Sequence, residues 1–380
     1  MGVAKKRNTS IDIIKGIAVF CVVAGHSLFP WTHFISLFHV AVFFIASGFF
    51  FMESYSKDWK SLLSFVKKKF ITLWLVYVVW MAIFTLLHNF FIAIHVYTND
   101  PRLLEYVPDT LATLKEPMSL AEMGVNILKS LIFHGGTEMG SAFWFIETLM
   151  ELAVVYSVIN FVLKKKFKKE TETILLYQTF VAVAFLILGF ICAKTNHTLH
   201  GLSKMLSVYI LYHGGYVLKM SRIYEREWTG VAHFSALAVS LAVLIGCDRI
   251  GFIALNVNEY VNPFFLLVAS FAGWCFLYET AYFVQKVAYV PKALVYMGRN
   301  TLAVVVLHLL CFKIVNMFGV IIFGKPACLI AAFPVLYEGG AWWIAYTAVG
   351  LGVPIALNVL RKKWMSAVFA KLNDQKSTEV

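Results

Sequence analysis

Apolar runs about as long as a bilayer is thick recur along this chain, and they leave few folds open. A span needs about 20 mainly apolar residues to cross roughly 30 Å of hydrocarbon. Ten such runs are read at residues 10–29, 33–52, 70–97, 141–163, 171–193, 203–220, 231–247, 262–284, 300–322 and 338–360. The third is long enough to tilt or protrude, and the sixth and seventh are short. Sixty per cent of the 380 residues are hydrophobic and 14% are charged, with a mean hydropathy of +0.75. Soluble domains have roughly 45–50% and about 25%. A soluble fold could not hide this much apolar surface, whereas lipid solvates it. The expected fold is all-α, a polytopic transmembrane bundle of about ten helices. It forms one membrane domain over 1–363, with a short cytoplasmic tail at 364–380.

The formal charge of +12 raises the question of nucleic acid, and its distribution answers it. One alternate set of loops holds Lys5, Lys6 and Arg7, then five lysines in 53–69 and five in 163–171. It continues through Lys219, Arg222, Arg226, Lys286, Lys292 and Arg299 to Arg361, Lys362, Lys363, Lys371 and Lys376. The other loops hold only Arg102, Lys115, Lys129, Lys194, Arg249 and Lys325. Positive residues resist translocation, so the rich loops and both termini are expected in the cytoplasm of a plasma-membrane protein. No nucleic-acid partner is expected; the basic charge marks topology and can attract anionic lipid. The first run imitates a signal peptide, but no small-x-small cleavage site follows it and a second run starts almost at once. The longest loop, 98–140, leaves no room for a large extramembrane domain, and a surface helix is expected near 119–133. The six cysteines lie mostly in spans without CxxC spacing, which reads as packing, and no metal is expected.

Ionisable residues inside spans are costly, and they face cavities or one another. The first run carries Asp12, Lys15 and His26, the second His39 and then Ser47-Gly48, and the fourth Glu147 and Glu151. His213, Glu279, His308 and Lys313 follow in later runs. The alternation of spans puts His26, His39 and Glu147 at one depth, where two imidazoles and a carboxylate can form a general base with an orienting partner. Lys15 and His26 are eleven residues apart, so they share one face of a helix roughly 16 Å from each other. A cation near one surface and a base deeper in suit an elongated anionic ligand. Blander roles compete. Asp12 and Lys15 can snorkel to the interface. His39, His213 and His308 can each simply bond a neighbouring helix. His33, His88, His95, His134, His197 and His200 lie at edges or in loops.

The segments Lys15 to His26 and Phe38-His39 to Ser47-Gly48-Phe49-Phe50 resemble the start of the acyltransferase 3 family of integral-membrane acyltransferases, and most of all its fucose 4-O-acetylase-like branch. Trp144-Phe145-Ile146 resembles its WFL-type signature, and Tyr212-His213-Gly214-Gly215-Tyr216 its aromatic-Gly-Tyr stretch. Met297-Gly298-Arg299-Asn300-Thr301-Leu302, followed by His308, resembles its late G-(K/R)-N-(S/T)-L…LH segment. The resemblance implies transfer of an acyl group, often acetyl, from cytoplasmic acyl-CoA to a carbohydrate hydroxyl. It implies that His26 is the essential histidine, with Glu147 and His39 as further catalytic candidates. Lys15 would bind the acyl-CoA, and Trp144 and His308 would contact substrate. The family commonly has arginine where this chain has Lys15, which keeps the charge and loses the bidentate fork. The alternative reading is a transporter or flippase for a small polar metabolite or glycan precursor, because buried His, Glu and Lys also form proton relays.

Overall fold

A computed structural model describes residues 9–167, 170–195 and 201–378. Lys5, Lys6, Arg7, Lys168, Lys169, His197 and His200 lie outside the described residues. The fold is an all-α bundle: α1 (Thr9–His26), α2 (Thr32–Phe49), α3 (Trp59–Leu86), the surface helix α4 (Leu120–Ser130), α5 (Ser141–Lys166) and α6 (Thr171–Lys194). It continues with α7 (Leu202–Met220), α8 (Gly230–Ile250), α9 (Pro263–Val284), the short α10 (Val290–Arg299), α11 (Thr301–Ile322) and α12 (Trp342–Thr378). The strands among the described residues form one antiparallel hairpin, β1 (Ile253–Ala254) and β2 (Glu259–Tyr260), with Ile253 opposite Tyr260. Helices suit lipid because they satisfy their backbone groups internally.

Nine helices among the described residues are long and apolar enough to cross a membrane. α7 is not among these nine, yet it runs between the same two ends of the bundle. Its start lies beside Glu147 and its Ser207 bonds Tyr260 in the hairpin, while Lys219 at its end bonds the carbonyl of Phe51. It tolerates Ser203, Ser207 and His213 because neighbours, rather than lipid, cover them; all three are buried. Side-chain bonds sort the connections to two ends. Arg299 meets Asp12, Gln285 meets Ser10, Lys164 meets Glu53 and Lys362 meets Asn300 at one end. His33 meets Asp248 and Lys115 meets Glu138 at the other.

The third and second spans differ from expectation. The third span starts at Trp59, not residue 70, because Asp58 caps Ser61 and the helix runs through Lys67–Lys69 into a π-turn over Phe70–Trp74. It ends at Leu86, and a separate short helix, His88–Ala93, follows. In the second span, residues 37–40 form a turn between Thr32–Ser36 and Ala41–Phe49, and His39 Nδ1 donates to the Ile35 carbonyl at 2.7 Å. The expected tail at 364–380 continues α12 as helix to Thr378. The surface helix α4 begins at a Ser119–Glu122 capping box.

Glycines decide two crossings. A Cβ on Gly16 would strike the Leu294 carbonyl, and one on Gly298 the Asp12 carbonyl, so α1 and α10 meet backbone to backbone. Gly48 and Gly215 do the same for α2 and α7, against the carbonyls of Tyr212 and Ile45. Close approach through small residues is how helices gain packing in lipid, where burial of apolar surface gives no drive. Gly215→Leu is therefore expected to destabilise the bundle by about 1–3 kcal/mol or more, read as a lower melting temperature in detergent. An unchanged melting temperature would show that α2 and α7 can separate freely.

Candidate active site

The site is assembled from the faces of six helices. A cavity of about 240 Å³ is lined by Lys15 of α1, by Phe43, Ala46 and Ser47 of α2 with the adjoining Phe50, and by Leu73 of α3. Phe145, Ile146 and Leu149 of α5, Gly298 and Arg299 of α10, and Thr301, Leu302 and Val305 of α11 complete it. Lys15 and Arg299 make one end cationic, and the walls beyond are mainly apolar. Arg299 Nε donates to Asp12 Oδ2 at 3.0 Å; the Asp12 side chain is 3% exposed and that of Arg299 46%. The carboxylate thus anchors a guanidinium that remains open to ligand.

Continuing past the cavity along the same elements leads to three histidines. His39 precedes Phe43 by four residues, His308 follows Val305 by three, and His26 lies three turns beyond Lys15. The His26 and His308 rings are 5.2 Å apart between centroids. His39 lies within electrostatic reach of His26. His26 ends α1, where Leu28 takes a left-handed backbone conformation, φ 57°. The Ser27 hydroxyl ties that end to α12 through Thr347, at 2.9 Å. His26 is open to water-sized molecules although protein surrounds it, and its ring has no hydrogen-bond partner among the described residues.

Backbone bonds fix the tautomers of the two flanking rings. A carbonyl only accepts, so Nδ1 carries the proton wherever it bonds one. His308 Nδ1 donates to the carbonyls of Val304 at 2.8 Å and Val305 at 3.1 Å, and His39 Nδ1 to Ile35. In each neutral ring Nε2 is then a bare acceptor. That of His308 is buried without a partner. Three imidazoles with free basic nitrogens, one of them open to ligand, can take and pass on a hydroxyl proton.

The other sequence candidates lie elsewhere. Glu147, Glu151 and Trp144 sit on the opposite face of α5 from Phe145, Ile146 and Leu149, since successive residues turn by about 100°. Lys204 lies over the Trp144 ring at 5.6 Å and within electrostatic reach of both carboxylates, so these residues form their own cluster. His213 is saturated by Tyr156 at 3.1 Å and Thr179 at 2.9 Å, which is a structural tie. Among the described residues no group of three His, Cys, Asp or Glu side chains is placed to hold a metal ion. The Asp12–Arg299 pair escaped the sequence candidates, although Arg299 stands inside the Met297-Gly298-Arg299 motif that was singled out.

A many-helix membrane bundle with a cationic mouth, an apolar slot and a histidine cluster behind it is suited to group transfer on a long anionic donor. The family model described as "Acyltransferase domain" matches residues 8–359, and the chain belongs to this acyltransferase 3 family. It is a membrane acyltransferase, and the transporter reading gives way to that assignment. No curated protein and no solved structure matches the chain.

Proposed function

We propose that the protein moves an acyl group, acetyl in the simplest case, from cytoplasmic acyl-CoA to a hydroxyl of an exported or cell-surface carbohydrate. The observation that carries this reading is the line from the Lys15–Arg299 mouth, along the apolar slot, to the His26 cluster. The excess of Lys and Arg at the mouth's end supports a cytoplasmic position for that end, and with it both termini, in the plasma membrane. Phosphates of the donor would meet Lys15 and Arg299, and the pantetheine arm would lie in the slot. His26 takes the proton from the acceptor hydroxyl as its oxygen attacks the thioester carbonyl. The C–S bond then breaks, and the thiolate recovers the proton from the imidazolium. Direct transfer is favoured over an acyl-histidine intermediate. His39 and His308 would accept hydrogen bonds from His26 or substrate and hold the proton's path. Glu147 and Trp144, with Lys204, are better placed for the acceptor than for proton transfer at His26.

Lys15→Ala and Arg299→Ala are each expected to raise the KM for acetyl-CoA about tenfold, with a smaller change in kcat, because each removes a charge-assisted contact to phosphate. Radiolabelled acetyl transfer by membranes containing each variant is the measurement. An unchanged KM in both would remove the donor from this mouth.

A further inference from the structure

A second and larger cavity, about 620 Å³, lies between the first turns of α8, the last turns of α9 and the segment joining α7 to α8. Its walls are aromatic, with Tyr224, Trp228, Tyr278 and Tyr282, and its floor is the pair His233–Glu279. His233 Nδ1 bonds Glu279 Oε2 at 2.6 Å, and the two side chains are only 11% and 10% exposed. The pair uses one carboxylate oxygen. The His233 ring stacks on Tyr282 at 3.6 Å, and Lys286 Nζ already sits 4.1 Å from the Tyr282 centroid, so this ring does accept a cation. Arg226 and Glu227 stand at the rim.

The location limits the occupant. Gln285, just past α9, bonds Ser10, so the cavity opens at the same end of the bundle as the Lys15–Arg299 mouth. It is nonetheless separate from that mouth. Phe50 lines the first cavity, while Phe49 packs on Tyr224 and Trp274 beside the second. Val231, Phe234, Val239 and Ile245 of α8 are exposed, which in a spanning helix means lipid-facing. The cavity therefore sits at a helix end, at the boundary of the hydrocarbon. Two carboxylates, Glu227 and Glu279, oppose a polyphosphate, whereas aromatic faces around a carboxylate suit an ammonium group.

We propose that this cavity holds the headgroup of a zwitterionic phospholipid from the leaflet at that end. Tyr224 and Tyr278 pack on each other at 4.0 Å, so the ammonium enters against the outer side of that pair, beside Glu279; the phosphodiester meets Arg226 and Lys286, and the acyl chains lie along α8. The test is native mass spectrometry of full-length protein released from nanodiscs of equal phosphatidylethanolamine and phosphatidylglycerol. Wild type should carry phosphatidylethanolamine enriched at least about threefold over the bulk, the lower range of a cation–aromatic contact. Glu279→Gln and Tyr278→Ala should each return the bound lipid to the bulk ratio, with the fold checked by melting temperature. Bulk composition in wild type, or enrichment of phosphatidylglycerol, would overturn the proposal. So would tight binding of soluble glycerophosphoethanolamine in lipid-free detergent, which would assign the cavity to a free metabolite. None of these outcomes depends on acyl transfer.

Discussion

Acyl transfer by a His26→Ala variant is expected to fall by about 10²–10⁴, the range a positioned general base contributes. The expectation rests on position as much as on residue type. His26 is the member of the histidine cluster that is open to small molecules, and His308 is fully buried. Its ring nitrogens are not committed to backbone carbonyls, unlike those of His39 and His308. Alanine at 26 leaves Ser27 on Thr347, so the end of α1 should keep its place. His308→Gln should cost less, because His308 touches the reaction through His26. The informative measurement is kcat in membranes where the variant's melting temperature equals that of wild type. Retention of full activity by folded His26→Ala protein would end the proposed mechanism.

The second large effect is on stability. Lys313→Met is expected to destabilise the fold by about 3–5 kcal/mol, the usual cost of removing one partner of a buried ion pair. Lys313 is 3% exposed. Its Nζ donates to the carbonyls of Ala331 and Ala332, each at 2.8 Å, and lies 3.8 Å from Glu138 Oε1. Asn316 continues the work, donating to Ile330 and Ala332 at 3.0 Å and accepting from Leu336 N and the Tyr346 hydroxyl. Segment 327–336 has few backbone partners of its own, so α11 side chains satisfy its carbonyls. Burial pushes the Glu138 carboxyl above its ordinary value, and Lys313 and Lys115 oppose that push. A raised folded value means that ionised Glu138 weakens the fold. Its contribution is lost as pH rises from the unfolded value through the folded one. Without Lys313 that loss deepens, so the variant should be worse at pH 8 than at pH 5. Adding Glu138→Gln should recover part of the stability at pH 8. Equal melting temperatures for the single and double variants at both pH values would show that the pair carries no weight.

Much of the fold is legible from local physics. The apolar runs locate the crossings because lipid tests each one separately for length and polarity. The sixth run, 203–220, contains enough polar residues to fall outside a strict apolar test, yet its alternation with the charged loops already required a crossing there. The start of the third span was misplaced because Lys67–Lys69 interrupt the hydropathy without interrupting the helix. The break at residues 37–40 carries no glycine or proline to announce it. For the site, depth along antiparallel spans grouped His26 with His39. The same depth argument grouped them with Glu147, and there it had no knowledge of which way α5 is turned.

By itself the sequence determined the class of structure, the alternation of its ends and the separation of Lys15 from His26 along one helix face. Those properties follow from rise per residue, from the cost of charge in hydrocarbon and from the reluctance of Lys and Arg to cross. Only the tertiary structure decided which buried polar groups meet. Gly16 against α10 and Gly48 against α7 set how closely the helices approach and how they are rotated. That rotation brings His308 beside His26, seats Arg299 on Asp12 and turns Glu147 toward Lys204. Contacts between residues as far as 320 positions apart depend on how whole helices pack, and no local pattern encodes that.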